Sequence, residues 1–375
     1  MAAVFTPGLQ VTEKGVIQKD RRLPLEGEVT VSMGEMVTAE TVVARTELPG
    51  KIYPINVANQ LGVDAGRLKS LMTKTAGDKV TEGEIIATSP GFFGLFKSEA
   101  TSIVTGTIES VSGVTGQVIF QADPVPVEMD AYINGRVVEV IPSEGCVIQS
   151  NATFIQGIFG LGGEARGEIT MVAKAPSQIV TESDITEDCK GKVLVGGAYL
   201  SVSALKRAVE VGASAFVTGG FDYDEIKDLL GYEVGVAITG GEDLGLTLIV
   251  TEGFGEIQMA PATFKLLKAK AGMMASVNGA TQIRAGVMRP EVVVTFDEAS
   301  APTEIVKPPE PVGIQIGDKV RGIRAPYFGL LGTLKSLPNE PTVLDSESKA
   351  RVMEVTFEDG TEAIVPRANV EAIKG

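Results

Sequence analysis

A thirteen-residue pattern occurs twice near the start of this chain and limits what the first half can become. GEMVTAETVVART at 34–46 matches GDKVTEGEIIATS at 77–89, an offset of 43 residues. Gly34/Gly77, Val37/Val80, Thr38/Thr81 and Ala44/Ala87 are identical, and Val42-Val43 falls on Ile85-Ile86. A second pair, GTIESVSGVTGQVI at 106–119 and GRVVEVIPSEGCVI at 135–148, is offset by 29. It shares Gly106/Gly135, Val111/Val140, Gly116/Gly145, Val118/Val147 and Ile119/Ile148. Each unit reads as a strand, a glycine turn and a strand, and duplicated hairpins of this kind pack as a small sandwich or barrel. Across 1–175, Val, Ile and Thr alternate with Gly and Ser, and almost nothing repeats at helical spacing. The exception is 56–73, which predicts a short helix. The repeats leave open whether one barrel or two results.

From 188 to 297 the pattern changes. VLVGGA, AFVTGG, GVAITGG and LTLIVTEG are continuous apolar runs, each ending at or next to glycine. Helical patterns lie between and after them, at 202–213, 222–230 and 260–272. Alternating β and α with unalternated strands predicts a parallel sheet covered on both faces. The link GGEDLG is too short for a full helix, so that crossover is reduced. TQIRAGVMRPEVVVTF at 281–296 is expected to add an edge strand. Residues 298–313 hold Pro302, Pro308, Pro309 and Pro311 and read as an extended linker. In the last segment, Asp359-Gly360 marks a hairpin turn between two further strands.

Two resemblances follow from these residues. Gly77-Asp78-Lys79-Val80 through Ala87, then Ser102 to Gly106-Thr107-Ile108, resembles the barrel-sandwich hybrid family, which includes biotinyl and lipoyl carrier domains. Carriers place a lysine at a hairpin tip in Met-Lys-Met or Asp-Lys-Ala. This chain has neither, and Lys97 lies closer to Gly106 than the carrier pattern requires, so no attached cofactor is expected. GDKVRGIRAPYFGLLGTLKSL at 317–337, with VMEVTFEDGTEAIVP at 352–366, resembles the KOW family of NusG-type, SH3-like barrels. That resemblance implies binding of RNA or protein without choosing between them.

Composition removes several chemistries. The chain of 375 residues has no histidine, which excludes a Ser-His-Asp or Cys-His nucleophile and a His-ligated metal. Its 33 basic and 48 acidic residues give a charge of −15, which opposes non-specific binding to nucleic acid. Cys146 and Cys189 form no CxxC and indicate neither zinc nor redox chemistry. Two reduced thiols and no visible signal segment lead to a cytoplasmic expectation. No apolar stretch is long enough for a transmembrane helix, so no membrane association is expected.

The carboxyl edge of the parallel sheet is the best-defined candidate ligand site, because ligands of open α/β sheets bind there. Gly197, Thr218, Gly219, Gly220, Thr239, Gly240, Gly241 and Glu252 fall on that edge, and glycine admits a ligand to the backbone amides. Turns from strand to helix also need glycine. Asp222, Asp224, Glu242 and Asp243 crowd the same edge and disfavour a phosphate unless Mg²⁺ mediates. No nucleotide fingerprint is present. Arg284 and Arg289 offer guanidinium groups for a carboxylate or phosphate, or for a surface salt bridge. GIFGLGGEARG at 157–167 reads as a phosphate-cradling loop or as a compact turn. Phe92, Phe93 and Phe96 in GFFGLF form either a buried cluster or a contact loop. Lys319, Arg321, Arg324, Tyr327 and Phe328 interleave bases with aromatics, as single-strand binding and protein contact both use.

The expected architecture is multidomain α/β plus all-β. A duplicated barrel-sandwich hybrid occupies 1–180, a Rossmann-like parallel α/β domain 188–297, and a KOW barrel 314–375 after the linker. The expected function is that of a non-enzymatic binding, assembly or scaffold protein acting through protein contacts or self-association. The alternatives are a regulator sensing a metabolite or Mg-nucleotide, and a transcription- or ribosome-associated factor binding RNA through the last domain. An enzyme would have to use Glu252, Asp222 or Glu242 as base with Arg284 in support, and no spacing demands it.

Overall fold

The computed structural model describes residues 9–90, 97–222, 225, 244–282, 288–296, 315–322, 326–327, 330–338, 342–343 and 349–372. These residues lie mostly in β-strands, with few helices, and the strands form several sheets.

The two sequence repeats pair with each other. Gly34 donates its N–H to Val137 O at 2.8 Å, and the Val137 N–H returns to Glu35 O at 2.9 Å. Gly77 donates in the same way to Ile108 O at 2.7 Å, and Ile108 returns to Asp78 O at 3.0 Å. Val137 and Ile108 are separated by the 29 residues of the second repeat. The chain therefore holds two copies of one module, with the second copy inside the first. The segments 34–46 and 135–148 build the host, and 77–89 and 106–119 build the insert. Val42–Leu48 and Val125–Asp130 run antiparallel as an arm that carries the insert, and Glu28–Val29 pairs with the outer side of Val42–Leu48. At its base the Ala122 N–H reaches Lys51 O at 3.0 Å, so the two ends of the insert meet. Each copy has its own core. Val57, Leu61, Leu68, Ile86, Ile108 and Phe120 fill the insert, and Val43, Ile133, Val137, Ile148 and Phe154 fill the host.

One local chemistry recurs in both copies. The Ser32 N–H donates to Glu35 Oε2 at 2.9 Å, and the Thr75 N–H to Asp78 Oδ2 at 2.6 Å. Between each pair a glycine takes the left-handed conformation, Gly34 at φ 86° and Gly77 at φ 93°. That region carries a steric penalty for any side chain, which explains the glycine. The same turn appears in the last segment, with the Gln315 N–H on Asp318 Oδ2 at 2.8 Å and Gly317 at φ 95°.

The second repeat needs a correction beyond its hairpin. The sequence matches Ile119 with Ile148, but the cross-strand pairs are Ile108↔Phe120 and Val137↔Ile148. Phe120 is therefore the counterpart of Ile148. The host hairpin is one residue shorter, and inward-facing positions must stay inward at period two. Both copies carry a register shift just after the paired Ile108 and Val137. The region 56–73 holds two short helices, Val57–Leu61 and Leu68–Leu71, because Gly62 ends the first at φ 64°.

The largest sheet joins the host to the α/β region. Its central path runs Phe159–Leu161, Thr247–Phe254, Ala215–Phe221, Val193–Val195, Glu164–Met171, Met274–Asn278, Glu291–Thr295, Gly145–Gln156, Gly135–Ile141 and Met36–Val37. Val193–Val195, Ala215–Phe221 and Thr247–Phe254 are parallel, as three of the apolar runs predict, and Glu164–Met171, which no apolar run marks, joins them in parallel. The flanking pairs are antiparallel, so the sheet is mixed. Glu291–Thr295 is the expected edge strand, and it lies in the interior, paired on one side with Met274–Asn278 and on the other with Gly145–Gln156. Its period-two pattern serves two cores at once: Val293 packs into the host, and Val292 and Val294 into the α/β core. No polar alternation marks it because neither face is wet.

Helix Val202–Val211 starts where Ser201 Oγ accepts the Ala204 N–H at 3.2 Å, and stops at Gly212, φ 76°. Helix Pro261–Ala269 begins with proline in its first turn. The segment 222–230 and the runs containing Thr239, Gly240 and Gly241 fall largely outside the described residues, as does the 298–313 linker. The C-terminal strands lie in the order Glu362–Pro366, Val352–Phe357, Leu331–Ser336, Lys319–Gly322 and Val370–Ala372. They enclose a fourth core of Val320, Leu334, Met353, Val355, Phe357 and Val365.

Because the ends of the insert meet and its core is its own, an excised 50–123 fragment is expected to unfold cooperatively in urea. A fragment without a cooperative transition contradicts a self-contained copy. Asp78 is held below the ordinary carboxylate range by the Thr75 N–H and hydroxyl, and Glu84 by Lys74 and the Thr81 N–H. Lowered folded-state values mean that this stabilisation is present above about pH 4 and is lost as pH falls through them. Asp78→Asn is expected to flatten the acid side of the fragment's stability curve, read by urea melts down to about pH 2.

Candidate functional site

Among the described residues, the glycine edge of the parallel strands is filled by the chain's own backbone. A Cβ on Gly197 would lie 2.4 Å from Gln178 O, one on Gly219 2.4 Å from Ile257 O, and one on Gly220 1.9 Å from Gly255 O. The close approach that these glycines permit is taken by segments 175–178 and 255–259. Thr218 is buried, and its carbonyl accepts from Thr251 Oγ1 at 3.2 Å. Nearby, the Tyr199 hydroxyl donates to Glu225 Oε2 at 2.7 Å, and burial together with that carboxylate pushes its pKa upward. The glycines of 157–167 also serve packing. A Cβ on Gly160 would meet Gly279 O at 2.5 Å and Pro290 Cβ at 2.7 Å.

Three of the selected side chains meet at a place that no spacing in the sequence indicates. Arg321 Nη2 donates to Glu252 Oε2 at 3.0 Å, and its Nη1 to Glu371 Oε1 at 3.2 Å. The other oxygen of Glu371 accepts from Arg289 Nη2. Glu252 Oε1 takes the Ala260 N–H at 2.9 Å, just ahead of helix Pro261–Ala269. Two guanidiniums and two carboxylates thus form a buried, neutral quartet between the C-terminal strands and the α/β region. Burial lowers the Arg289 pKa, the positive charge of Arg321 adds to this, and Glu371 opposes it. Arg321 Nε is buried without a hydrogen-bond partner. Glu371 was not selected from the sequence, because a lone glutamate near a chain end carries no pattern.

A second charged cluster ties the host to the α/β region. Arg21 makes a bidentate pair with Glu164, at 2.6 and 2.8 Å, and its Nε donates to Asp130 O at 2.7 Å. Asp130 also binds Arg166. Burial pulls the Arg21 pKa down, and the hydrogen bond and charge of Glu164 outweigh it, with a net rise. The Arg21 guanidinium lies 5.3 Å from the centre of the Tyr132 ring. Tyr132 has φ 65° and is 1% exposed, and its hydroxyl has no well-formed hydrogen bond. Desolvation, and then the charges of Glu291 and Glu164, push its pKa well up.

Beside this cluster lie two neighbouring hollows of about 190 and 240 Å³, with Asn134 and Thr295 lining both. The turn 36–40 forms one wall, held by the Ala39 N–H on Asn134 Oδ1 at 2.8 Å. Gln149, Ser150, Asn151 and Ser276 are among the residues that line the rest, with Arg136 in one hollow and Arg166 in the other. Met36 (57% exposed) and Met274 (61% exposed) line the two hollows, and Phe296 lies beside Met36 under the Lys270 ammonium, 5.6 Å from its ring centre. These residues come from widely separated strands and give no sequence signal.

The remaining selected residues divide simply. Lys319 is exposed and pairs with Glu358 at 3.5 Å, while Tyr327 stacks on Phe357 with centroids 5.0 Å apart. Phe92, Phe93, Phe96, Arg284, Arg324 and Phe328 lie outside the described residues. Both cysteines are buried free thiols. Among the described residues no cluster of Cys, Asp or Glu fits a metal ion, and no helix is long and apolar enough to cross a membrane. No protein-family model matches the chain, and no curated protein matches it.

Glu371→Gln is expected to destabilise the protein by about 3–5 kcal/mol, since it weakens the pairing of two buried arginines. Tyr132→Phe is expected to change stability by less than about 1 kcal/mol, because the buried hydroxyl has no well-formed hydrogen bond to lose. Denaturant melts of the full chain check both.

Proposed function

We propose that this protein is a non-enzymatic binding or assembly protein that takes an extended polypeptide segment into the groove between the 36–40 turn and the large sheet. The carrying observation is the make-up of that groove. Amide side chains, which both donate and accept hydrogen bonds, suit the alternating groups of an extended backbone. Exposed methionines adapt their shape to varied side chains. Arg166 stays bound to Asp130 and Arg136 donates to Gly34 O at 3.0 Å, but each guanidinium carries five N–H donors, so an acidic residue in the segment is favoured at either. Glu252, the best-placed candidate base, is held by Arg321 and the Ala260 N–H, which supports a binding reading over a catalytic one.

The nested copies support a barrel-sandwich hybrid, and the parallel run through 169–254 supports a Rossmann-like unit. The five-strand C-terminal order, with a 3-10 turn at Arg367–Asn369 before the last strand, supports a KOW-like unit. Protein contact is preferred over RNA for that unit, because Arg321 and Tyr327 are engaged within the protein.

A displayed library of random peptides panned on the full chain tests the proposal. The expected result is enrichment of extended sequences with an acidic residue, lost in Met36→Asp and Asn134→Ala variants that melt like the parent. No enrichment, or enrichment indifferent to both substitutions, overturns it.

A further inference from the structure

We infer that the Glu252–Arg321–Glu371–Arg289 quartet is a releasable latch, through which the C-terminal unit docks on the α/β region and withholds its Arg321 face.

Three observations carry this inference. The first is the apolar bookkeeping. The C-terminal core of Val320, Leu334, Met353, Val355, Phe357 and Val365 shares no residue with the core of the α/β region. Among the described residues, the hydrogen bonds and ion pairs that cross between the two units run through the quartet. An interface built on polar groups between units with separate cores is the kind that permits relative motion.

The second is charge balance on opening. Arg321 and Glu371 sit opposite each other on paired strands of the C-terminal unit, at 3.2 Å, and stay together when the unit leaves. Glu252 and Arg289 remain on the other side, also summing to zero. Opening therefore strands no net charge on either face, and it returns the desolvation cost of all four groups. Arg321 Nε, buried without a partner in the docked state, regains water.

The third is contrast with the other buried arginine. Arg21 is also paired bidentately, but its strand Val11–Arg22 is bonded along its length to Gly145–Gln156 in the shared sheet. Exposing Arg21 requires that sheet to come apart. Exposing Arg321 and Arg289 requires only undocking.

Phenylglyoxal labelling of the native full chain, read residue by residue by mass spectrometry, tests the inference without any substitution. The side chains of Arg321 (3%) and Arg289 (7%) are no more exposed than that of Arg21 (9%). Static exposure therefore predicts no faster labelling for the first two. The latch predicts that Arg321 and Arg289 label together, on the order of tenfold or more faster than Arg21, because sub-global opening precedes global unfolding. Labelling of both no faster than Arg21 overturns it. A second measurement uses Glu252→Gln with Arg289→Met, changes confined to the α/β side that leave the C-terminal unit its own ion pair. The variant is expected to show a larger radius of gyration in small-angle scattering with an unchanged far-ultraviolet spectrum. An equally compact variant, or one that loses strand signal, means the quartet is a fixed structural element and not a latch.

Discussion

The pairing of Gly145–Gln156 with Glu291–Thr295 is the contact on which the rest of the architecture depends. It brings strands far apart in sequence into one sheet, and both faces of the second strand are buried. Val293 closes the host core while Val292 and Val294 close the α/β core. A strand shared by two cores cannot slip by one residue without exposing apolar groups to one side and voids to the other. The neighbouring backbone continues the join. Gly157 donates to Pro290 O at 2.8 Å, and Ile158 to Val250 O at 2.8 Å, so the segment that leaves the host is bound at once to the α/β strands.

The nested duplication shows how a small set of local rules can build much of a large chain. A glycine in the left-handed region and a carboxylate that accepts the N–H three residues back make one turn, used in the host, the insert and the C-terminal unit. Insertion of a whole copy works because the arm strands pair with each other and bring the ends of the insert together. The host then treats the insert as a long hairpin loop. Loop-closure cost rises slowly with length, so a folded insert with adjacent ends is tolerated.

Buried charge plays two different parts. The Arg21 cluster lies within the continuous sheet and pins host to α/β region where movement is already prevented. The Arg321 quartet lies between units with separate cores, where its completeness decides whether they touch. The same residue chemistry thus acts as reinforcement in one place and as the joint itself in the other. The difference lies in the surrounding backbone pairing and not in the side chains.

The glycine turns, the strand-rich first half, the parallel apolar runs and the helices at 202–211 and 261–269 were legible in the sequence, because each follows from local backbone sterics or periodicity. The host–insert pairing was half legible. The offsets of 43 and 29 were visible, but their nesting was not, since offset alone does not say which copy pairs with which. The interior place of Glu291–Thr295 was hidden because an apolar run is equally consistent with several positions in a sheet. Glu252, Arg289 and Arg321 were selected one by one as candidates for ligand or partner, and only the tertiary structure joined them through Glu371 into one neutral group. The groove walls at Met36, Asn134, Gln149, Met274 and Thr295 left no trace in the sequence. Local stereochemistry is written residue by residue, whereas a groove or an ion quartet depends on which distant strands the long-range pairings bring together.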